Sequence, residues 1–89
     1  RYELGELYFQ AGRIGEAIAE LQKAQNNPGR RIAAMNLLAQ AFAQRGMNDL
    51  AARKFAEALK EKQVFDDEAK ELRYQLGVVL DKMGKTEEA

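Results

Sequence analysis

Apolar residues recur along this chain with a helical rhythm. Leu4, Leu7, Tyr8 and Ala11 fall at i, i+3, i+4 and i+7, the spacing of a buried stripe on one helix face. After a break at Gly12 the rhythm resumes with Ile14, Ala17, Ile18 and Leu21 and runs to Gln25. The turn Ala11-Gly12-Arg13 is short, so these two helices are predicted to be antiparallel neighbours. Asn26-Asn27-Pro28-Gly29 stops the second helix, since proline cannot sit in a helix interior and glycine frees the backbone. A third helix is predicted from Arg30 to Arg45, ended by Gly46. Asn48 or Asp49 is the expected cap of a fourth, reaching about Lys62, and Asp66 or Asp67 that of a fifth, with Glu68 favourable in its first turn. The fifth is expected to end at Gly84, with Thr86-Glu87-Glu88-Ala89 opening a sixth. No strand pattern appears, so the chain reads as all-α.

The helices repeat. Leu4-Gly5-Glu6-Leu7-Tyr8 aligns with Leu38-Ala39-Gln40-Ala41-Phe42 when position i is set on position i+34. The same shift carries Gly12 to Gly46, Ala17 to Ala51, Leu21 to Phe55 and Ala24 to Ala58. A third copy starts at Leu76-Gly77 with Leu80, Gly84 and Ala89, now at i+38 from the second, the extra four falling near Phe65-Asp66-Asp67-Glu68. The expected division is residues 1–29, 30–65 and 66–89, the last holding one helix and the start of another. Gly5, Ala39 and Gly77 would be small because paired helices approach closely there, with Ala17 and Ala51 opposite. Tyr8, Phe42 and Leu80 would fill the remaining space, and Leu21 and Phe55 extend the core to the next unit.

Composition narrows the chemistry. A chain of 89 residues holds one compact unit, and 14 basic against 14 acidic residues leave no net charge. That balance removes the long-range attraction on which nucleic-acid and anionic-membrane binding normally rest. No apolar run approaches the roughly 20 residues of a membrane span. There is no Cys, His, Ser or Trp and Thr86 is the only threonine, which excludes disulfides, Cys/His zinc sites and Ser/His or Cys/His dyads within the chain. No cofactor or metal is expected, and an enzyme is disfavoured. With Arg1 first and no signal-peptide pattern, the chain reads as an excerpt of a longer protein. Its compartment stays open, the cytoplasm being favoured.

The recurring helix–turn–helix unit with Leu-Gly-x-x-Tyr, then Gly, Ala, a large apolar residue and Ala, resembles a tetratricopeptide repeat. Leu4, Gly5, Tyr8, Ala17, Leu21 and Ala24 carry the resemblance first, then Leu38, Ala39, Phe42, Ala51, Phe55 and Ala58, then Leu76, Gly77, Leu80 and Ala89. The usual tryptophan is replaced by Arg1, Met35 and Arg73, and the usual late proline by Gly29 and Gln63. The resemblance implies antiparallel helix pairs stacked as a right-handed α-solenoid, with the first helix of each pair lining a concave groove. It places Tyr2, Glu6, Phe9 and Gln10 there, then Asn36, Gln40, Ala43 and Gln44, then Glu71, Tyr74, Val78, Asp81 and Lys82. Tyr2, Asn36 and Tyr74 share one repeat position, giving a row of phenol and amide groups suited to a peptide backbone. Family members that hold the carboxylates of chaperone tails use Lys, Asn, Asn, Lys and Arg at positions occupied here by Tyr2, Glu6, Leu37, Glu71 and Gln75, so such tails are disfavoured partners.

Other features read as structural. Gly12-x-x-Gly15 lacks the preceding strand and Lys-Ser/Thr of a phosphate loop, and Gly12 and Gly46 are turn residues by their equivalence. Arg30-Arg31 and the acidic Glu57 and Glu61, beside Lys54 and Lys60, read as solvated charge. Asp66-Asp67-Glu68 lacks the ligand spacing of a calcium loop. Phe65, beside Val64, is expected to tuck its ring against the seam between helices four and five. Leu72, Leu76, Val78, Val79, Leu80 and Met83 form a broad stripe through which the chain is expected to self-associate. The leading reading is a groove that binds a protein or peptide of unknown identity, without nucleic acid or membrane. The alternative is a scaffold whose repeats pack end to end.

Overall fold

The computed structural model describes the backbone of residues 2–88 and the side chains of residues 2–84. Five helices follow in chain order, α1 (Tyr2–Gln10), α2 (Ile14–Ala24), α3 (Arg31–Gln44), α4 (Asn48–Glu61) and α5 (Asp67–Glu88), and no strand occurs among the described residues. The turns α1–α2 and α3–α4 are built identically. Gly12 and Gly46 take φ of 80° and 79°, a region that only glycine enters cheaply. Gly12 N–H donates to Phe9 C=O at 3.1 Å and Arg13 N–H to Tyr8 C=O at 2.9 Å; Gly46 and Met47 repeat this on Ala43 and Phe42 at 3.0 and 2.9 Å. This Schellman ending closes the helix and returns the chain antiparallel to itself.

Each helix packs chiefly on its neighbours in sequence, with a lighter touch between α1 and α3. The Cα envelope of 39 × 32 × 17 Å is about two helices deep, as adjacent axes about 8–10 Å apart require. Ala17, Leu21, Ala24, Ala34 and Leu38 form a buried cluster between α2 and α3. A second joins α3, α4 and α5 through Met35, Ala39, Ala51, Phe55, Leu72 and Val79, and Phe42 packs against both. Gly5 is buried, and a Cβ there would lie 2.8 Å from Cγ and Cδ2 of Leu21, so the glycine sets how closely α1 meets α2.

Several expectations need correction. Leu4, Leu7 and Ala11 are exposed, Leu7 by 62%, because α1 has neighbours only on the side of Gly5 and Tyr8. Leu80 is 49% exposed and a Cβ on Gly77 would meet nothing within 4 Å, since no helix among the described residues covers that side of α5. Helix α5 does not stop at Gly84, which lacks the positive φ of Gly12 and Gly46, and it continues to Glu88. The sixth helix expected at Thr86 is therefore part of α5, and Ala89 lies outside the described residues. Neither Asn48 nor Asp49 caps α4: Met47 occupies that place without a side-chain bond, because the Gly46 turn feeds directly into the helix. Asp66 does cap α5, its Oδ1 accepting from Ala69 N–H at 3.0 Å.

The insertion lengthens α4, which runs to Glu61 where α2 stops at Ala24, the equivalent of Ala58. The connection is held by charge rather than by a buried ring. Lys62 Nζ donates to Asp66 Oδ2 at 2.9 Å and Glu68 Oε1 at 2.8 Å. Phe65 is 58% exposed under the Arg73 guanidinium, 5.4 Å from its ring centre, so it does not tuck into the seam.

Glycine substitutions separate the covered face from the open one. Gly5→Ala forces Leu21 aside and should destabilise by about 1–3 kcal/mol. Gly77→Ala adds a Cβ in open space and should stabilise by about 0.5–1 kcal/mol. Phe65→Ala should cost no more than about 1 kcal/mol. Urea midpoints measure all three, and equal shifts for the two glycine variants would contradict this packing.

Candidate functional site

The expected groove residues are distributed unevenly. On α1, Tyr2 and Phe9 pack half-buried against the α2–α3 cluster, Glu6 is half-buried and Gln10 exposed. The Arg30 guanidinium sits 5.2 Å over the Tyr2 ring, and burial, helped by Glu6 and opposed by Arg30, pushes the Tyr2 phenol above its ordinary value. On α3, Asn36, Gln40 and Gln44 stand at successive i, i+4 positions, and Gln40 Nε2 donates to Asn36 Oδ1 at 2.9 Å. On α5, Glu71, Tyr74, Asp81 and Lys82 are exposed and Val78 half-buried.

A concavity of about 220 Å³ lies between α3 and α5, lined by Gln40, Ala43, Gln44, Gln75 and Lys82. Four of these were groove expectations. Gln75, seven residues before Lys82 and so on the same helix face, completes the lining and was missed. Tyr2, Asn36 and Tyr74 are not brought together as an open row: Tyr2 is turned into packing and Asn36 is bonded to Gln40.

A second concavity, of about 250 Å³, had no counterpart in the sequence reading. Gln22 and Gln25 of α2 and Leu50, Arg53, Lys54 and Glu57 of α4 line it over Leu38 and Phe42. A third, of about 260 Å³, follows the insertion past Val64 and Phe65. All three fall below the roughly 300 Å³ at which small-molecule pockets begin, so contact across a surface suits them better than enclosure.

Of the charges first read as solvated, Arg30, Arg31, Lys54, Glu57 and Glu61 are paired. Arg31 Nε and Nη2 donate to the two carboxylate oxygens of Glu61, each at 2.7 Å, while Nη1 donates to Gln25 C=O at 3.1 Å. This half-buried fork ties the start of α3 to the ends of α2 and α4. Arg30 Nη2 reaches Glu3 Oε2 at 3.0 Å. Among the described residues no group of acidic side chains is placed to hold a metal ion, and no helix is long and apolar enough to cross a membrane.

The family model of the tetratricopeptide repeat matches residues 1–26, which span α1 and α2. The first helix pair is similar to a tetratricopeptide repeat. With five helices and no strand among the described residues, the chain has a helical-repeat solenoid fold. No curated protein and no solved structure matches it. Tetratricopeptide repeats are generally modules of protein interaction.

The paired carboxylates give the solenoid an acid-labile stability. Hydrogen bonding from Arg31 holds the Glu61 carboxyl below its ordinary value, and Lys62, then Ala69 N–H, does the same for Asp66. A lowered folded pKa contributes stability that is present above the unfolded value and is lost as pH falls through the folded one. Glu61→Gln should therefore lower Tm at pH 7, with the gap to the parent chain closing as the pH drops below about 4. A gap unchanged between neutral and acid pH would show that the Arg31–Glu61 pair does not hold α3 to α4.

Proposed function

We propose that this chain binds an extended peptide segment of a partner protein along the side of the stack built by α1, α3 and α5. In this reading residues 1–29, 30–65 and 66–89 are successive repeats, and each contributes its first helix to that side. The observation that carries it is the lining of the α3–α5 concavity by Gln40, Ala43, Gln44, Gln75 and Lys82. Primary amides both donate and accept, so they match the alternating N–H and C=O groups of an extended backbone without selecting its side chains strongly. Asn36, Gln40 and Gln44 rise along α3 one turn apart, a spacing near 6 Å that an extended peptide covers in about two residues. Ala43 leaves room for a side chain and Lys82 supplies one cation at the rim. The clamp's cation positions hold Tyr2, Glu71 and Gln75, and Glu6 adds a second negative charge, which argues against a strongly acidic tail as the ligand.

Peptides selected from a random library for binding to the chain provide the test. They should shift the side-chain amide resonances of Gln40, Gln44 and Gln75, and Gln40→Leu with Gln44→Leu should weaken binding about 10-fold through two lost hydrogen bonds. Unweakened binding, with shifts gathered on Gln22, Leu50 and Arg53 instead, would move the site to the opposite concavity.

A further inference from the structure

Helix α5 faces two ways. Leu72 and Val79 are buried against α4, so the stripe first expected to drive self-association is largely covered within the chain. Toward α3 the helix turns Gln75 and Lys82, which line the α3–α5 concavity, and Glu71 stands one turn before Gln75 on the same face. On the other side of α3, Glu6 lies between Tyr2 and Phe9, both of which pack on the α2–α3 cluster, so it too is on the face toward α3. Helix α3 itself carries no charge between Arg31 and Arg45. Its open side is therefore neutral, with a carboxylate on each flank.

Resting on the peptide-binding reading above, we propose that the bound peptide carries a basic side chain, lysine or arginine, seated over Asn36 between Glu6 and Glu71. The repeat register sets the level of the two carboxylates. Glu6 corresponds to Gln40, 34 residues on, and Glu71 to Ala33, 38 residues back, so together they bracket Asn36. Both carboxylates are available. Glu6 is half-buried and has no ion pair among the described residues, and Glu71 accepts only a long bond from Gln75 Nε2, at 3.5 Å.

Cations of the chain do not fill the seat. Arg30 is held by Glu3 and the Tyr2 ring, Arg31 by Glu61, and Lys62 by Asp66 and Glu68. The fields of α1 and α5 also overlap at the start of α3. The Tyr2 phenol is raised by burial first, then by Glu6, and least by Glu68 of α5, with Arg30 opposing. Negative potential on a neutral amide surface attracts a basic ligand and repels an acidic one. All three helices that build the seat, and both flanks of α3, lie within the described residues.

Peptides selected from a random library test the seat, with circular dichroism of each variant as the control for folding. The selected peptides should carry a lysine or arginine, and replacing it by glutamate should weaken binding at least about 10-fold. The chain with both Glu6→Gln and Glu71→Gln should bind the basic peptide about 10-fold more weakly, and bind that peptide's alanine version as the unaltered chain does. Glu6→Lys with Glu71→Lys should reverse the preference, so that the glutamate version binds better than the basic one. Peptides that shift the Gln40, Gln44 and Gln75 amides without a basic residue, or that bind the double glutamine variant undiminished, would overturn the seat and leave the peptide groove standing. Shifts gathered on Gln22, Leu50 and Arg53 would remove the groove, and the seat with it.

Discussion

The close approach of paired helices at small residues sets the geometry of this chain, because it determines what each helix buries and what it leaves open. At Gly5 the gap to Leu21 is too narrow even for a methyl group. At Ala39 a methyl group is accommodated, fully buried, in the cluster that holds Ala51 and Phe55. Small residues shorten the distance between axes, and large ones then reach past them into the next layer. Phe42 shows the result, since it packs against both clusters and so couples the α2–α3 layer to the α3–α5 layer. The glycine turns at Gly12 and Gly46 only return the chain; the packing decides how tightly it returns.

Stacking of this kind is nearly one-dimensional, with each helix stabilised by its sequence neighbours. Polar side chains add ties between helix ends. Arg31 reaches Gln25 and Glu61 together, which fixes the entry of α3 relative to the ends of two other helices. Lys62 fastens the one connection that departs from the repeat length. A linear stack leaves wide surfaces on both sides. One carries amides over a shallow concavity, and the other mixes charged groups with an apolar floor. Functional specificity in such a scaffold lies in which surface residues stand on it.

The helices and their pairing were legible in the sequence because two sets of residues satisfy helical periodicity and close packing together. Gly5, Tyr8, Ala17 and Leu21 form one set, and their counterparts Ala39, Phe42, Ala51 and Phe55 form the other. What periodicity cannot reveal is whether a neighbour exists. Leu7 and Leu80 have the spacing of core residues and remain exposed because no helix among the described residues lies against them. Phe65 looked like a lone anchor, yet the charged side chains of Lys62, Asp66 and Glu68 hold that turn without it. The Arg31–Glu61 fork joins residues 30 apart in sequence and leaves no local pattern to read. Within the candidate site, Gln40, Ala43, Gln44 and Lys82 were reached by position alone. Gln75 could have been found from its seven-residue spacing to Lys82.

Native-state hydrogen exchange, read residue by residue, tests the linear stack most directly. Helices covered on both sides should open last, so backbone amides of α3 and α4 near Ala39 and Phe55 should show the greatest protection. Protection should fall in steps through α2 and α5 toward α1, whose outer face is bare. Equal protection in all five helices, or the greatest protection in α1, would contradict a fold stabilised by neighbour-on-neighbour packing.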